Sequence, residues 1–486
     1  MRDLDFERCW RATLSRDTRF DGVFYSAVRT TGVYCRPSCP GCPKRENVCF
    51  YGSSAAAQGA GYRACKRCNP DASPGSPEWD VRADVVGRAM RLIGDGVVDR
   101  DGVSGLAERL GYTARHLHRQ LVAEIGVGPQ GLARARRAQT ARVLLETTGL
   151  RVTDVATAAG FSSLRQFNDT MRTVFGTSPT ALRRGSGGSA DTTGAVTVRL
   201  SVREPFDGPG LLRFFAAHAV PGVEEVIEAG ALSTYRRSLS LPRGAGTVAL
   251  TPVGDHVRAE FRLQDIRDLA AAIHRCRRLL DLDADPVAVS ELLARDEVIA
   301  PLVRGNPGLR VPGRADGPEL MVRALLGPRS PATTAALARL VRHCGTPLRS
   351  PTGGVTHLFP SPETLAEADL AALLPPRRAS AIRAAATGLA SGALVLGDGA
   401  DRAEAERQLL RLPGIGCRAA GYVALHGLRD PDVFLAGDRT ARAALTRLGR
   451  AVDAAGAARL AERWRPWRSY ALVHLWSSVE TAGADG

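Results

Sequence analysis

The sequence predicts a multidomain protein with a small, cysteine-rich α+β part, an all-α part, and a final part that begins as α+β and continues mostly as helix. A length of 486 residues suggests about three domains. Cysteines cluster before residue 69, helical periodicity begins near Val81, and alternating apolar residues begin at Val196. We therefore predict domains at residues 1–78, 79–184 and 195–482, with a Gly- and Ser-rich linker at 185–194.

The charge balance favours a polyanionic partner. The chain has 65 basic and 50 acidic residues, giving a net charge of +15, and 44% of its residues are hydrophobic. Nucleic acid is the partner that such a charge most favours. No apolar run is long enough for a membrane span, and Met1–Phe6 lacks the apolar core of a signal peptide. We expect a cytoplasmic protein with no membrane partner.

Two cysteine pairs predict a metal site in the first part. Cys35 and Cys39 form C-x3-C, Cys65 and Cys68 form C-x2-C, and 25 residues separate the pairs. This ligand count and spacing is typical of a structural four-cysteine Zn²⁺ site. Cys42 and Cys49 lie between the pairs without an assigned role, and a pair Cys39-x2-Cys42 is an alternative ligand set. A purely structural zinc site is the simplest interpretation.

The amino-acid sequence around these cysteines indicates a chemical role for the site. The stretch Arg29–Cys39, with Cys65-Lys66-Arg67-Cys68, closely resembles the N-terminal domain of the Ada family of adaptive-response proteins. The resemblance implies that Cys35 accepts a methyl group from a methylated DNA phosphate, and that zinc keeps its sulfur deprotonated. Four thiolates around Zn²⁺ carry a formal charge of two minus, so methylation removes one negative charge and should strengthen DNA binding.

The second part carries two similar helix-turn-helix patterns. One runs from Leu106 through Gly111 to Leu121, and the other runs from Val155 through Gly160 to Phe167. Two copies joined by a helix over about 130–147 resemble the AraC-type DNA-binding domain. The resemblance implies promoter binding and makes RNA polymerase the expected protein partner. The expected DNA-reading side chains lie early in the two recognition helices: Arg115, Arg119, Arg165 and Gln166.

The third part contains a glycine turn between helices and an acidic residue after it. The turn is Leu412-Pro413-Gly414-Ile415-Gly416, and Asp438 follows Gly416 by 22 residues. Glycines allow backbone amides to turn toward a DNA phosphate without side-chain charge. The turn alone is modest evidence of function, because glycine-rich turns between helices occur widely.

The turn, together with Pro307–Gly313 and Glu462–Leu472, resembles the AlkA-type helix-hairpin-helix glycosylase family. The resemblance implies that Gly414 and Gly416 bind a DNA phosphate and that a nucleotide is flipped out of the duplex. It also implies that Asp438 stabilises positive charge on the sugar, and that Tyr422 and Trp476 form the base pocket. No lysine follows the hairpin where related enzymes form a Schiff base, so we expect release of alkylated bases, as 3-methyladenine, without strand cleavage.

Three arginines depart from that pattern. Arg418 and Arg439 stand where the family has aromatic residues, and Arg329 stands where it has the leucine wedge that enters the base stack. A different substrate range is therefore expected. An alternative function is a methylation-sensing regulator whose degenerate glycosylase domain only binds DNA. The chain lacks the Pro-Cys-His-Arg motif of O6-methylguanine repair, so that activity is not expected.

Overall fold

The computed structural model describes residues 5–14, 24–37, 39, 43–65, 70, 84–125, 127–183, 195–230, 232–327, 330–397 and 399–482. The chain separates into two compact units. The first comprises Met1–Ser201, Leu241–Gly244 and Arg258–Arg275, and the second comprises Val202–Ser240, Ala245–Val257 and Cys276–Gly486. No helix within the described ranges is long and apolar enough to cross a membrane.

The cysteine-rich part is a small sheet with short helices, as an α+β fold requires. Its described elements are α1 (Phe6–Leu14), β1 (Tyr25–Val28), β2 (Val33–Cys35), β3 (Val48–Tyr51), α2 (Ser54–Gly59) and β4 (Arg63–Ala64). The strand order is β3-β1-β2-β4. Strand β1 is antiparallel to β2 and β3, whereas β4 runs parallel to β2. Strands β2 and β4 therefore end at the same edge of the sheet.

An all-α region follows in the same unit. It contains α3 (Asp84–Gly94), α4 (Val97–Leu110), α5 (Ala114–Ile125), α6 (Pro129–Thr147), α7 (Val152–Ala158), α8 (Leu164–Phe175) and α9 (Pro179–Arg183). Gly102, at φ 69°, interrupts α4, so the helix that precedes the first predicted turn begins after it. The pairs α4–α5 and α7–α8 match the two predicted helix-turn-helix copies, and α6 joins them. Leu106, Leu117, Leu144 and Phe167 fill the core.

The next stretch is α+β, as predicted. Its described elements are β5 (Val196–Ser201), α10 (Gly208–His218), β6 (Glu224–Ala229), β7 (Leu232–Leu241), β8 (Gly244–Val253), β9 (His256–Leu263) and α11 (Leu269–Leu279). In the first unit β5 lies beside β9, and in the second β6, β7 and β8 are neighbours in that order. Val257, Ala259 and Phe261 are buried at alternate positions of β9, in agreement with the predicted strand period.

The remainder of the second unit is mainly helical. It contains α12 (Pro286–Leu293), α13 (Ala300–Gly305), α14 (Gly317–Leu326), α15 (Pro331–Cys344), β10 (Thr346–Thr352), β11 (Val355–Leu358), α16 (Pro362–Glu367), α17 (Pro376–Ala390), α18 (Arg402–Arg411), α19 (Cys417–His426), α20 (Arg439–Arg447), α21 (Ala454–Ala461) and α22 (Arg468–Ala482). Helix α19 supplies Val423 to one apolar cluster and Leu425 to a second. The predicted fold class is confirmed.

Candidate functional sites

The parallel pairing of β2 with β4 brings two predicted zinc ligands together. The Cys65 N–H donates to the Tyr34 carbonyl oxygen at 3.0 Å, which places Cys65 beside Cys35 at the strand ends. The sulfur atoms of Cys35, Cys39 and Cys65 all lie within 4.8 Å of one another. Zinc–thiolate bonds of about 2.3 Å in a tetrahedron place sulfurs about 3.8 Å apart. The three side chains therefore fit a zinc ion.

The ligands differ in their access to solvent. Cys39 is buried, and its N–H donates to the Arg36 carbonyl oxygen at 3.0 Å in a tight turn. Cys35 and Cys65 are only partly buried. A partly exposed thiolate at a strand end can meet a reagent from outside, which a buried one cannot.

Three other cysteines in the first part of the chain are possible zinc ligands by their position in the sequence. The predicted fourth ligand, Cys68, and the alternative ligand Cys42 both lie outside the described residues. Cys49 lies on β3 with its sulfur 3.1 Å from the Tyr62 hydroxyl oxygen, and this hydrogen bond raises the pKa of Tyr62. Cys49 is not in the metal-holding group found among the described residues. Its sulfur instead belongs to a tyrosine cluster within the sheet.

The predicted DNA-reading side chains lie on exposed helix surfaces. Ser163 caps α8, since its hydroxyl oxygen accepts the Gln166 N–H at 3.1 Å. Arg165 and Gln166 therefore lie in the exposed first turn of α8, and the Arg165 side chain is 93% exposed. Arg115 and Arg119 are exposed on α5. These positions leave all four side chains free to approach a DNA groove.

The predicted glycine hairpin connects α18 to α19. Gly414 has φ +83°, a left-handed conformation that glycine adopts without strain. Gly416 is the N-cap of α19, and both glycines are exposed while Ile415 between them is 7% exposed. The buried isoleucine anchors the turn, and the helix N-terminus presents backbone N–H groups suited to a phosphate.

A cavity of about 970 Å³ in the second unit collects the predicted glycosylase residues. Its wall includes Asp438, Tyr422 and Trp476, and the hairpin glycines Gly414 and Gly416 lie on it as well. This volume lies in the range of small-molecule sites. The residues chosen from the sequence thus meet around one space large enough for a base.

Asp438 is held by three donors. Its side chain caps α20, where Oδ1 accepts the Ala441 N–H at 3.0 Å. The Trp476 indole N–H also donates to Oδ1 at 3.0 Å, and the Arg418 guanidinium donates to Oδ2 at 3.4 Å. Asp438 is only 5% exposed. A buried carboxylate held in one orientation can stabilise positive charge at a neighbouring atom.

The cavity also contains residues that sequence reasoning missed. Phe214 and His426 line it, and the His426 ring centroid lies 4.5 Å from that of Tyr422 and 5.7 Å from that of Phe214. Burial and the Arg314 charge lower the pKa of His426 to about 3, so the ring is neutral. Its Nδ1 lies 2.6 Å from the Pro312 carbonyl oxygen, which requires the proton on Nδ1. Neither residue belongs to a local motif, and Phe214 lies on α10, far from Tyr422 and Asp438 in the sequence.

The three arginines that differ from the glycosylase family pattern are placed differently. Arg418 lines the cavity, and its side chain is 61% exposed. Arg439 is exposed at the first position of α20 and is not among the lining residues described. Arg329, the predicted wedge, lies outside the described residues. Of the two arginines that the structure describes, Arg418 is therefore the one that contacts the predicted catalytic carboxylate of Asp438.

Three family models match successive parts of the chain. The metal binding domain of Ada matches residues 8–71, a helix-turn-helix domain matches residues 106–185, and the AlkA N-terminal domain matches residues 197–316. The first of these matches confirms the predicted zinc-binding domain, and the other two agree with the predicted DNA-binding and glycosylase parts.

Curated relatives cover the same parts. DNA-3-methyladenine glycosylase 2 of Escherichia coli is 35% identical over 57% of this chain and 95% of its own. The bifunctional transcriptional activator/DNA repair enzyme Ada of Escherichia coli is 37% identical over 32% of this chain and 43% of its own. The "Probable bifunctional transcriptional activator/DNA repair enzyme AlkA" of Mycobacterium tuberculosis is 53% identical over 98% of this chain and 97% of its own. At that identity over nearly both whole chains, the protein belongs to this family of bifunctional transcriptional activators and DNA repair enzymes.

Proposed function

We propose that this protein repairs alkylated DNA at two sites and reports the damage to a promoter. Cys35 takes a methyl group from a DNA methylphosphotriester, the α4–α8 region binds promoter DNA, and the second unit excises alkylated bases of the 3-methyladenine type. The single observation that carries the glycosylase assignment is the buried Asp438 carboxylate on a base-sized cavity beside the glycine hairpin. Double-stranded DNA is the substrate, RNA polymerase the expected protein partner, and the cytoplasm the expected compartment.

The Cys35 reaction is a direct methyl transfer. A zinc ion held by Cys35, Cys39, Cys65 and Cys68 would keep the thiolates deprotonated at neutral pH. The Cys35 sulfur then forms a bond to the methyl carbon while the bond between that carbon and the ester oxygen breaks. The phosphodiester leaves with the electron pair on that oxygen, and its phosphorus–oxygen bonds stay intact. A thioether has no route back to thiolate here, so each chain reacts once. The loss of one negative charge favours binding to DNA phosphates.

The second unit performs hydrolysis of the bond between base and sugar. Backbone N–H groups at Gly414 and Gly416 hold a phosphate, and the flipped base stacks against Tyr422 and Trp476. As the bond breaks, the base takes the electron pair and positive charge develops on the sugar. Asp438 stabilises that charge until water adds at C1′ and gives up one proton to the solvent.

The second unit is not expected to cleave the DNA strand through a Schiff base. The chain has two lysines, Lys44 and Lys66, and both precede residue 79. The glycosylase region therefore has no lysine amine to attack C1′, and water is the acceptor.

One pair of measurements tests both activities separately. After incubation with DNA carrying methylphosphotriesters, mass spectrometry should find one added methyl group on Cys35 and none in Cys35→Ser. Duplexes carrying 3-methyladenine should yield free base with the wild type and with Cys35→Ser. Methylation at another cysteine contradicts the first assignment. Absence of base release from these duplexes and from duplexes carrying uncharged damaged bases would leave the second unit as a DNA-binding module.

A further inference from the structure

A buried arginine whose guanidinium makes no hydrogen bond to the described residues lies behind the base cavity. Arg314 is 7% exposed, and its Nε, Nη1 and Nη2 atoms have no hydrogen-bond partner among the residues described. Its guanidinium carbon lies 5.2 Å from the ring centroid of Phe214, which lines the cavity. Guanidinium groups keep their charge in proteins. The charges of Arg237, Arg323 and Arg314 all lower the pKa of the buried Glu319, and Arg237 and Arg323 also pair with Glu224. Three buried arginines therefore share two carboxylates, and the excess buried positive charge is costly.

The field of Arg314 reaches the cavity. After burial, the Arg314 charge is the largest cause that lowers the pKa of His426, a lining residue in contact with Tyr422 and Phe214. A field that opposes a proton on His426 also opposes a positive charge on a base stacked beside it. A cation on the face of Phe214 also reduces the attraction of that ring for a second cation.

The charged side chains that line the cavity also disfavour a positively charged base. Among the residues described there, four arginines and two aspartates line the cavity: Arg213, Arg310, Arg323, Arg418, Asp207 and Asp438. Arg323 pairs with Glu224 and Glu319, and both carboxylates also pair with the buried Arg237. Arg418 already pairs with Asp438 at 3.4 Å, so the carboxylate offers less attraction to a positively charged base. The excess charge at the cavity is therefore positive.

We infer that the cavity selects damaged bases without a positive charge over cationic N-alkylpurines. The inference rests on the proposed glycosylase function and names its substrate class. A neutral purine enlarged or altered at its ring edge, such as 1,N6-ethenoadenine or hypoxanthine, still stacks on Tyr422 and Trp476 because stacking needs only a π face. The nucleosides of 3-methyladenine and 7-methylguanine are cations and meet the field of Arg314 and Arg418.

The test compares lesions in one duplex sequence with full-length protein. Single-turnover excision of 1,N6-ethenoadenine and hypoxanthine should be faster than that of 3-methyladenine and 7-methylguanine after each rate is divided by the spontaneous rate of base loss. Arg314→Met removes the charge and keeps the length, and Arg418→Gln removes the charge at the cavity mouth. Each should shift the ratio of rates toward the cationic lesions by about tenfold. Arg407→Gln is the matched control, because Arg407 pairs with Glu404 on the exposed face of α18 and does not line the cavity.

Each outcome decides a different point. Excision of no base by the wild type refutes the proposed glycosylase function. Preferential excision of cationic lesions by the wild type overturns the inference and leaves that function standing. A neutral-lesion preference that both arginine variants retain unchanged also overturns it, because the preference would then have another origin. Thermal unfolding shows whether the variant is folded: Arg314→Met should melt no lower than the wild type, since it removes a buried charge that exceeds the neighbouring carboxylates.

Discussion

The indole nitrogen of Trp476 lies 3.0 Å from Oδ1 of Asp438. The same oxygen accepts the Ala441 N–H at the start of α20, so Oδ1 is occupied by two uncharged donors. Oδ2 faces the partly exposed Arg418 at 3.4 Å. The two oxygens therefore differ, and Oδ2 is the one that substrate can approach when Arg418 moves aside.

Asp438→Asn should lower the excision rate by about a hundredfold or more, because it removes the charge that stabilises the sugar cation. Asparagine caps helices as well as aspartate does, so the melting temperature should stay within a degree or two. Asp438→Ala should lose both activity and about 1 kcal/mol of stability. Single-turnover rates and thermal melts measure the two effects, and an Asn variant with the wild-type rate would refute the role of the carboxylate.

Trp476→Phe should lower the excision rate by about tenfold, since a hydrogen bond to a charged group is lost while an aromatic face remains for the base. Duplex binding should change little, because the hairpin amides that hold the phosphate are untouched. The measurement is the rate at saturating enzyme, with affinity measured separately on the same duplex. A variant that loses affinity and keeps its rate would assign Trp476 to stacking alone.

Cys65→Ser should abolish zinc binding and unfold the cysteine-rich part, because a small domain of this kind depends on its metal for stability. Cys49→Ser is the matched control: Cys49 lies on β3 with its sulfur hydrogen-bonded to Tyr62. Metal content by mass spectrometry should be one zinc per chain in the wild type and in Cys49→Ser. Loss of zinc in Cys49→Ser, together with its retention in Cys65→Ser, would show that Cys49 and not Cys65 is a zinc ligand.

The second unit should lose stability as the pH falls below about 6.5. Burial lowers the pKa of His426 to about 3 and that of His474 to about 4, with the Arg314 charge as a further cause at His426. Between these values and 6.5 the unfolded chain binds more protons than the folded one, so stability is complete above 6.5 and declines as the pH falls. For His426 alone the loss at pH 5 should be about 2 kcal/mol.

Denaturant unfolding at several pH values measures this loss. His426→Gln should flatten the dependence of the unfolding free energy on pH. His343→Gln should not, because His343 is exposed on α15. An unchanged slope in His426→Gln would show that His426 is protonated in the folded protein or exposed to water.

The sequence predicted those parts of the site that carry local patterns. The glycosylase resemblance, together with the spacing of 22 residues from Gly416, predicted Asp438, and paired spacing predicted Cys35 and Cys65 as metal ligands. The surroundings of the cavity could not be predicted in the same way, because Phe214 on α10 reaches the cavity, and Arg314 before α14 reaches Phe214, only through long-range packing. Neither periodicity nor spacing encodes that proximity. The neutral state of His426 likewise depends on burial and on a charge from another element.

The placement of Asp438 at the start of α20 affects how this position can change over generations. Its oxygen serves two purposes, catalysis through charge and helix initiation through hydrogen-bond acceptance. If selection for base excision were relaxed, selection for a folded chain would still favour a short oxygen-bearing side chain there. Inactive descendants should therefore carry Asn, Ser or Thr at this position more often than Ala or Leu. An acidic residue retained across distant descendants would then indicate that the chemistry is still in use.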